Sequence, residues 1–107
     1  MAVRVPQGKT DAAIKKVIGQ LDRYEADHPQ AEIEVYRKNA ASIRVRVVDP
    51  AFQPLSRSER SRMVWPLLRE LPEDVLSEVS MVLLLSPEEK ASSLVSLEFD
   101  DPSPSRL

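Results

Sequence analysis

Two segments in the middle of the chain alternate apolar with polar, mostly charged side chains, over residues 31–36 and 43–48. A period of two residues is typical of a strand that is buried on one face only. A short polar loop centred on Asn39 separates the segments, so we predict that they form an antiparallel hairpin. A hairpin of this kind needs a sheet and a covering layer, which excludes an all-helical bundle.

The charges of the hairpin predict its register. Centring the loop on Asn39 places Ile33 opposite Val45 on one face and Glu34 opposite Arg44 on the other. Opposite charges that face each other across a strand pair stabilise such a register. We interpret the charged side chains as ion pairs on a solvated sheet face rather than as paired acids and bases for catalysis. They are Glu32, Glu34, Arg44 and Arg46.

Apolar residues at helical spacing flank the hairpin. They recur every three or four positions over residues 11–26, with Thr10 as the candidate N-cap. After the hairpin, Ser56 and Glu59 have the spacing of a capping box, which predicts the start of a second helix. Pro66 lies inside that helix and removes one backbone donor, so we expect a kink or a break there.

An apolar run over residues 79–85 predicts a third strand, central or parallel in the sheet. Ser86, followed by a proline and two acids, predicts the start of a third helix. The order helix, strand, strand, helix, strand, helix indicates an α+β fold in which a three-stranded sheet carries its helices on one face. We predict a flexible N-terminal arm, a single folded domain and a disordered acidic tail, over residues 1–9, 10–98 and 99–107.

Composition narrows the classes of function open to the chain. Its 107 residues are 42% hydrophobic and 30% charged, which is typical of one folded domain rather than a disordered chain. The absence of cysteine excludes disulfides, thiolate nucleophiles and cysteine-based metal sites. No apolar run has the length of a signal peptide or a membrane span, so we predict a cytoplasmic protein. The net charge of −2 disfavours a dedicated nucleic-acid binder.

The second strand and the second helix carry a residue pattern that resembles a known family. Residues 43–52 read Ile-Arg-Val-Arg-Val-Val-Asp-Pro-Ala-Phe, and after seven residues 60–65 read Arg-Ser-Arg-Met-Val-Trp. This pattern resembles the BolA-like family, in which a strand leads through a Phe loop to a helix that opens Arg-His-Arg. The resemblance implies a topology similar to the type II KH fold. The two glycines, Gly8 and Gly19, form no Gly-X-X-Gly loop of the kind with which KH domains hold a nucleic acid.

The BolA-like resemblance also bears on iron chemistry. Members of that family pair with monothiol glutaredoxins, and their invariant His ligates a shared 2Fe–2S cluster. By this resemblance the ligand position falls on Ser61, and a His of the third strand corresponds to Ser80. A second candidate ligand of the family lies in the hairpin loop, which here is Arg-Lys-Asn-Ala-Ala over residues 37–41. A hydroxyl is a poor iron ligand beside imidazole, so we expect neither a metal nor a cofactor.

His28 is the only histidine, and it is the one remaining candidate for a general base or a nitrogen ligand. It precedes Pro29 at the predicted end of the first helix, where an imidazolium interacts favourably with the helix dipole. We therefore interpret His28 as a helix-terminal residue. The sequence contains no Gly-rich phosphate loop, no Ser/His/Asp set and no metal-spaced carboxylate cluster, so it does not predict an enzyme.

Basic side chains and the sole tryptophan gather near the start of the second helix. An exposed Trp beside arginines has the chemistry that anchors protein interfaces. We predict a non-catalytic protein-interaction module that contacts a partner protein through Arg57, Arg60, Arg62 and Trp65. The alternative is a weak nucleic-acid-binding or transcription-regulatory module, whose basic face would comprise Arg37, Lys38, Arg57, Arg60 and Arg62.

Overall fold

The structure is a computed structural model that describes residues 3–5 and 10–102. Four strands lie in this part of the chain: β1 (Val3–Arg4), β2 (Glu32–Asn39), β3 (Ser42–Val48) and β4 (Val79–Leu85). Five α-helices accompany them: α1 (Ala12–Asp27), α2 (Arg57–Leu68), α3 (Glu73–Leu76), α4 (Pro87–Ser92) and α5 (Leu94–Asp100). A 3-10 turn, Pro50–Phe52, connects β3 to α2. The architecture is that of a single α+β domain, as the sequence predicts.

The sheet has four strands in the order β1-β2-β3-β4. Strand β1 pairs in parallel with β2, β2 and β3 form an antiparallel hairpin, and β4 pairs in parallel with β3. The prediction of three strands is therefore wrong, and the prediction of a flexible arm over residues 1–9 is wrong at Val3 and Arg4. A strand of two residues is too short to show periodicity in the sequence. The rest of that arm, except residue 5, lies outside the described residues.

The hairpin forms, but its register differs by two residues from the predicted one. Ile33 lies opposite Val47, and Glu34 lies opposite Arg46. The strands extend further than predicted, because Asn39 accepts a hydrogen bond from the Ala41 N–H (2.9 Å) and closes a tight turn. A shift by an even number of residues keeps every side chain on its predicted face.

The apolar face of the sheet packs against α1 and α2. Ile33, Val35, Ile43 and Val45 are fully buried, in agreement with the predicted core face. Helix residues that line the same core are also fully buried, among them Ile14, Val17, Leu21, Val64 and Leu68. Burying each such side chain contributes roughly 1.5–3 kcal/mol, so this layer is the main source of stability.

The opposite face of the sheet is covered by α5, so the prediction of helices on one face is wrong. Tyr36 donates from its hydroxyl to the carbonyl of Phe99 (2.7 Å), and the two rings meet edge to face at 4.8 Å. Phe99 is fully buried, which also contradicts the predicted disordered tail over residues 99–107 at Phe99 and Asp100. Residues 103–107 lie outside the described part.

Three charged side chains of this second face, Glu34, Arg44 and Arg46, are buried rather than solvated, whereas Glu32 is exposed as predicted. Arg46 is 1% exposed, and its Nε donates to Glu34 (3.0 Å) while its Nη2 pairs with Asp100 (2.8 Å). Its guanidinium also lies 4.5 Å from the centre of the Phe99 ring. The predicted pairing of Glu34 with Arg44 is wrong, since Glu34 pairs with Arg46. Arg44 and Arg46 also pair with Glu98 and Asp100 of α5, which holds that helix onto the sheet.

The helix boundaries follow local signals with two corrections. Asp11, and not Thr10, caps α1 by accepting from the Ile14 N–H (2.9 Å). The capping box of α2 between Ser56 and Glu59 is present as predicted. Helix α2 continues through Pro66 to Leu68, so the proline does not break it.

Strand β4 lies at an edge of the sheet. Its parallel pairing with β3 agrees with the prediction, but the alternative of a central position is wrong. None of the helices in the described ranges has the length and apolar character that a membrane span requires.

Candidate functional site

An open cleft runs along the outer edge of β4, between α2 and the junction of α4 with α5. Its volume is about 270 Å³. Helix α2 forms one wall, the α4–α5 junction forms the other, and the edge of β4 forms the floor. The cleft is lined by Arg57, Ser61, Trp65, Val82, Leu84 and Val95, among others.

Arg60 closes one end of this cleft. Its Nη1 donates to the Leu84 carbonyl (2.9 Å) and pairs with Glu89 Oε1 (2.6 Å), while its Nε donates to the Leu55 carbonyl (3.1 Å). The residue is only 6% exposed, and its guanidinium lies 5.6 Å from the ring centre of Phe52. Arg60 was predicted to contact a partner, but these contacts make it a bridge between α2, β4 and α4.

Glu89 holds this bridge from the opposite side. Its carboxylate accepts from the Ser86 N–H (2.8 Å) as part of a capping box at the start of α4. This backbone hydrogen bond, followed by the hydrogen bond from Arg60, lowers the pKa of Glu89. Both the Arg60 guanidinium and the start of α4 therefore use the Glu89 carboxylate, which is not available to bind a cation in the cleft.

The floor of the cleft is a strand edge that pairs with nothing among the described residues. The Asp49 N–H donates to the Leu85 carbonyl (3.0 Å) on the β3 side. Consecutive carbonyls of a strand point to opposite sides, so the carbonyls of Leu84 and Val82 point to the cleft side. The bond from Arg60 to the Leu84 carbonyl agrees with this orientation. The backbone groups of Val82 remain available for pairing.

The walls of the cleft combine apolar and cationic side chains. Trp65 is partly exposed and lies against the core on its inner side. Across the cleft, Val95 is 49% exposed, and its neighbours on α5, Leu94 and Leu97, are 80% and 61% exposed. The Arg57 guanidinium is exposed and makes no ion pair or hydrogen bond with any residue that the structure describes.

The basic residues of the alternative, nucleic-acid-binding face lie at two ends of the sheet. Arg37 pairs with Asp11 (2.6 Å) and Glu78 (2.7 Å) before the start of β4, whereas Arg60 contacts Leu84 near its end. The six-residue separation along β4 corresponds to about 20 Å. Lys38 lies at the Arg37 end, and Arg57 and the exposed Arg62 lie on α2. The predicted face is not one continuous patch.

The positions that the BolA-like resemblance associates with iron are separated as well. Ser61 lines the cleft, whereas Ser80 lies near the start of β4 and shares a hydrogen bond with Ser42. His28 stacks on Tyr24 at 4.1 Å and its Nδ1 lies 3.1 Å from the Tyr24 carbonyl, at the end of α1 as predicted. The part of the chain described here holds no group of three or more His, Cys, Asp or Glu placed to bind a metal ion.

A buried polar pair below His28 has no counterpart in the sequence analysis. The Tyr24 hydroxyl donates to Asp49 Oδ2 (2.6 Å), and Asp49 also caps the 3-10 turn by accepting from the Ala51 N–H (2.8 Å). Burial, together with the hydrogen bond to Asp49, raises the pKa of Tyr24. The pair fixes the chain between β3 and α2 and is not open to a ligand, because Tyr24 and Asp49 are 2% and 3% exposed.

Sequence reasoning identified one wall of the cleft and missed the rest. Arg57 and Trp65, two of the residues predicted to contact a partner, both line the cleft from α2. The edge of β4 and the α5 wall were missed, because an apolar run does not distinguish an edge strand from a central one. Val95 is the residue of α5 that lines the cleft, and nothing in the local sequence distinguishes it from the neighbouring Leu94 and Leu97.

No protein-family model, curated protein or solved structure matches this chain.

Proposed function

We propose that this protein is a non-catalytic protein-interaction module of BolA-like fold, and that it contacts its partner through the cleft between α2 and the edge of β4. The observation that carries the proposal is the combination, in one cleft, of the partly exposed Trp65, the exposed Val95 and Arg57, which pairs with no other described residue. Tryptophan and arginine are the residues most enriched at the energetic centres of protein interfaces. Val95 on the opposite wall adds exposed apolar surface, which is typical of a contact surface.

Two features of the fold support the BolA-like part of the proposal. The order α1, β2, β3, α2, β4 agrees with the order that the resemblance implies. The antiparallel β2–β3 hairpin and the parallel β3–β4 pair are compatible with the same topology. The interaction surface then lies on α2, where the resembled family has its functional helix.

The cleft favours a protein partner over a nucleic acid. Arg37 and Arg60 are already paired with carboxylates, and about 20 Å of sheet separates their ends of the molecule. A phosphate backbone is bound by several free cations in a row, together with aromatic side chains that stack on bases. The cleft offers one free cation, Arg57, and one aromatic ring, Trp65, among the residues described.

An affinity capture from the native cell tests the proposal directly. The full chain serves as bait beside Arg57→Glu and Trp65→Ala variants, and Lys16→Glu on the exposed side of α1 is a control with the same change of charge. We expect the partner to be lost with both cleft variants and retained with Lys16→Glu. Equal recovery with all four baits would contradict an interaction through the cleft.

A salt titration distinguishes the two classes of partner. Binding of several phosphates makes the logarithm of the affinity fall steeply and linearly with the logarithm of the salt concentration. We expect no such binding to generic RNA or DNA, measured by fluorescence anisotropy at low salt. A steep salt slope that Arg57→Glu reduces would favour the nucleic-acid alternative instead.

A further inference from the structure

Apart from a register shift at its start, opposite Ile43 and Arg44, the edge of β4 lacks the devices that usually protect an edge strand. Its seven residues, Val-Ser-Met-Val-Leu-Leu-Leu, include no charged residue and no proline. Lysines, prolines, bulges or a covering helix normally prevent such an edge from pairing with another chain. Here Arg60 occupies only the Leu84 carbonyl, near the end of the strand. The backbone groups of Val82 therefore stand as an open template for a further strand.

The walls of the cleft limit what can pair with this edge. Trp65 and Ser61 of α2 stand on one side of it, and Val95 stands on the other. The edge of a second folded copy would bring the same two layers with it, and these would collide with the walls before the strands met. A single extended segment, which has no layers of its own, fits between them. The volume of about 270 Å³ lies below the range of about 300–1,000 Å³ that is typical of small-molecule sites, which also favours a narrow segment.

Charge adds a requirement on the sequence of this segment. Among the residues described, Arg57 is the free cation of the cleft, because Arg60 is neutralised by Glu89 (2.6 Å). An acidic side chain on the incoming segment would pair with Arg57 at the end of the cleft that Arg60 closes. Apolar side chains at every second position would share one face of the segment and meet Trp65, and the positions between them would face the wall with Glu89, Ser93 and Val95, since successive residues of a strand point to opposite faces.

We propose that the cleft binds one extended segment of a partner protein as a fifth strand on the outer edge of β4, with alternating apolar side chains in the cleft and an acidic residue against Arg57. This inference rests on the proposed function and specifies how the partner is bound. Backbone hydrogen bonds to Val82 contribute affinity, and the side-chain contacts select the sequence, as in other cases of strand addition.

Selection from a library of random ten-residue peptides displayed on phage, with the full chain as target, provides the probe. We expect selected peptides to alternate apolar and polar residues and to carry an Asp or Glu near one end. Binding of the synthetic peptides is measured by the fluorescence anisotropy of a dye on the peptide, so that variants of Trp65, the sole tryptophan of the chain, are compared in the same assay. Selected peptides without an acidic residue and without alternation would overturn the proposal.

N-methylation of the peptide backbone tests strand pairing itself. Methyl groups placed one at a time should weaken binding about tenfold at every second position, where the amide faces β4, and should have little effect at the positions between. On the protein side, Val82→Pro removes an amide that points away from β3, and Val82→Thr is the control that keeps it. We expect only the proline variant to lose the peptide.

A charge exchange tests the role of Arg57. Arg57→Glu should weaken the acidic peptide roughly fivefold, which is the size expected for an exposed ion pair, and a peptide with Lys in place of the acid should recover the loss. If Trp65→Ala abolishes binding but N-methylation shows no period of two, the cleft binds protein without strand addition, and only this inference fails. If neither Trp65→Ala nor Arg57→Glu affects binding, the proposed function fails with it.

Discussion

Arg46 lies under α5 with 1% of its side chain exposed, and three groups surround its guanidinium. Glu34 and Asp100 neutralise its charge, and Ser96 accepts a further hydrogen bond through its hydroxyl (2.8 Å). A buried ion is tolerated when every polar group around it is paired, and it becomes costly when one partner is removed. The stability of this face therefore depends on the pairing of individual residues.

Replacing Arg46 by methionine should destabilise the protein by about 3–5 kcal/mol, because Glu34 is left buried with only the exposed Arg4 beside it (3.3 Å). The free energy of unfolding in urea measures the loss. The double variant Arg46→Met, Glu34→Leu removes both charges and should recover most of it. A single variant that loses less than about 1 kcal/mol would show that water or Arg4 already compensates Glu34.

The buried hydroxyl of Tyr24 leads us to expect that the free energy of unfolding falls at alkaline pH. Its pKa is raised in the folded protein by burial and by the hydrogen bond to Asp49, so the folded state retains its proton above pH 10, where the unfolded state loses it. The unfolded state then binds fewer protons, and the free energy of unfolding falls with pH by about 1.4 kcal/mol per unit.

Urea unfolding between pH 8 and pH 11 measures this slope in the protein and in a Tyr24→Phe variant. Tyr36 contributes a slope of the same sign, because burial raises its pKa as well. The variant should therefore lose part of the decline above pH 10 and keep the rest. An unchanged pH profile would mean that Tyr24 ionises without unfolding.

At the scale of elements, α5 is held by one apolar side chain and a set of ion pairs. Phe99 is fully buried, whereas Leu97 on the same helix is 61% exposed. Phe99→Ala should cost about 3–5 kcal/mol through the cavity that it leaves, and Leu97→Ala should stay within about 0.5 kcal/mol. Chemical denaturation of the two variants compares them. Equal effects would indicate that α5 does not pack on the sheet in solution.

Arg60 makes a similar contrast possible on α2. Arg60→Ala leaves the carbonyl of Leu84 without its side-chain donor and the carboxylate of Glu89 with only the Ser86 N–H, so we expect a loss of about 1–3 kcal/mol in the free energy of unfolding. Arg62, two residues further along and exposed, is the matched control, and its substitution by alanine should have an effect near zero. A larger loss for Arg62→Ala than for Arg60→Ala would indicate that Arg60 is a surface residue, as the sequence analysis predicted.

Elements with a strong local signal were predicted, and elements defined by distant contacts were not. The capping box at Ser56 and the alternation around Ile33 and Val45 are visible in the sequence alone. The sequence of helix α5 does not show which of its four apolar residues is buried: Phe99 is fully buried, whereas Leu94 and Leu97 are exposed. The helix packs through Asp100 and Glu98, which contact arginines about 54 residues away in sequence. Local periodicity contains no information about such pairs.

For the whole molecule, sequence reasoning located the α2 side of the cleft and could not reveal its shape. Arg57, Arg60 and Arg62 look equivalent in the sequence, yet Arg60 is buried and the other two are exposed. Whether a helical arginine reaches a strand carbonyl depends on how α2 packs against β4. That packing emerges only when the layers assemble, so a cluster of like residues predicts a surface without ranking its members.

The placement of Ser61 leads to a prediction about iron. Ser61 lines the cleft at the position where the resembled family has its ligand, and His28 is stacked on Tyr24 at the end of α1. We expect no cluster shared with a monothiol glutaredoxin after anaerobic reconstitution, monitored by visible absorption and circular dichroism. A spectrum distinct from that of the glutaredoxin alone, and abolished by His28→Ala, would contradict this expectation.

The order of the strands has a consequence for how quickly the chain reaches this structure. Among the paired strands, β2 and β3 are joined by a short turn. Helix α1 separates β1 from β2 in the sequence, and helices α2 and α3 separate β3 from β4. A hairpin closes in roughly 1–10 μs, whereas parallel pairs form only after a long loop has been ordered. We expect the β2–β3 hairpin to nucleate folding and β4 to join late. Substitutions in β4 should then accelerate unfolding much more than they slow refolding.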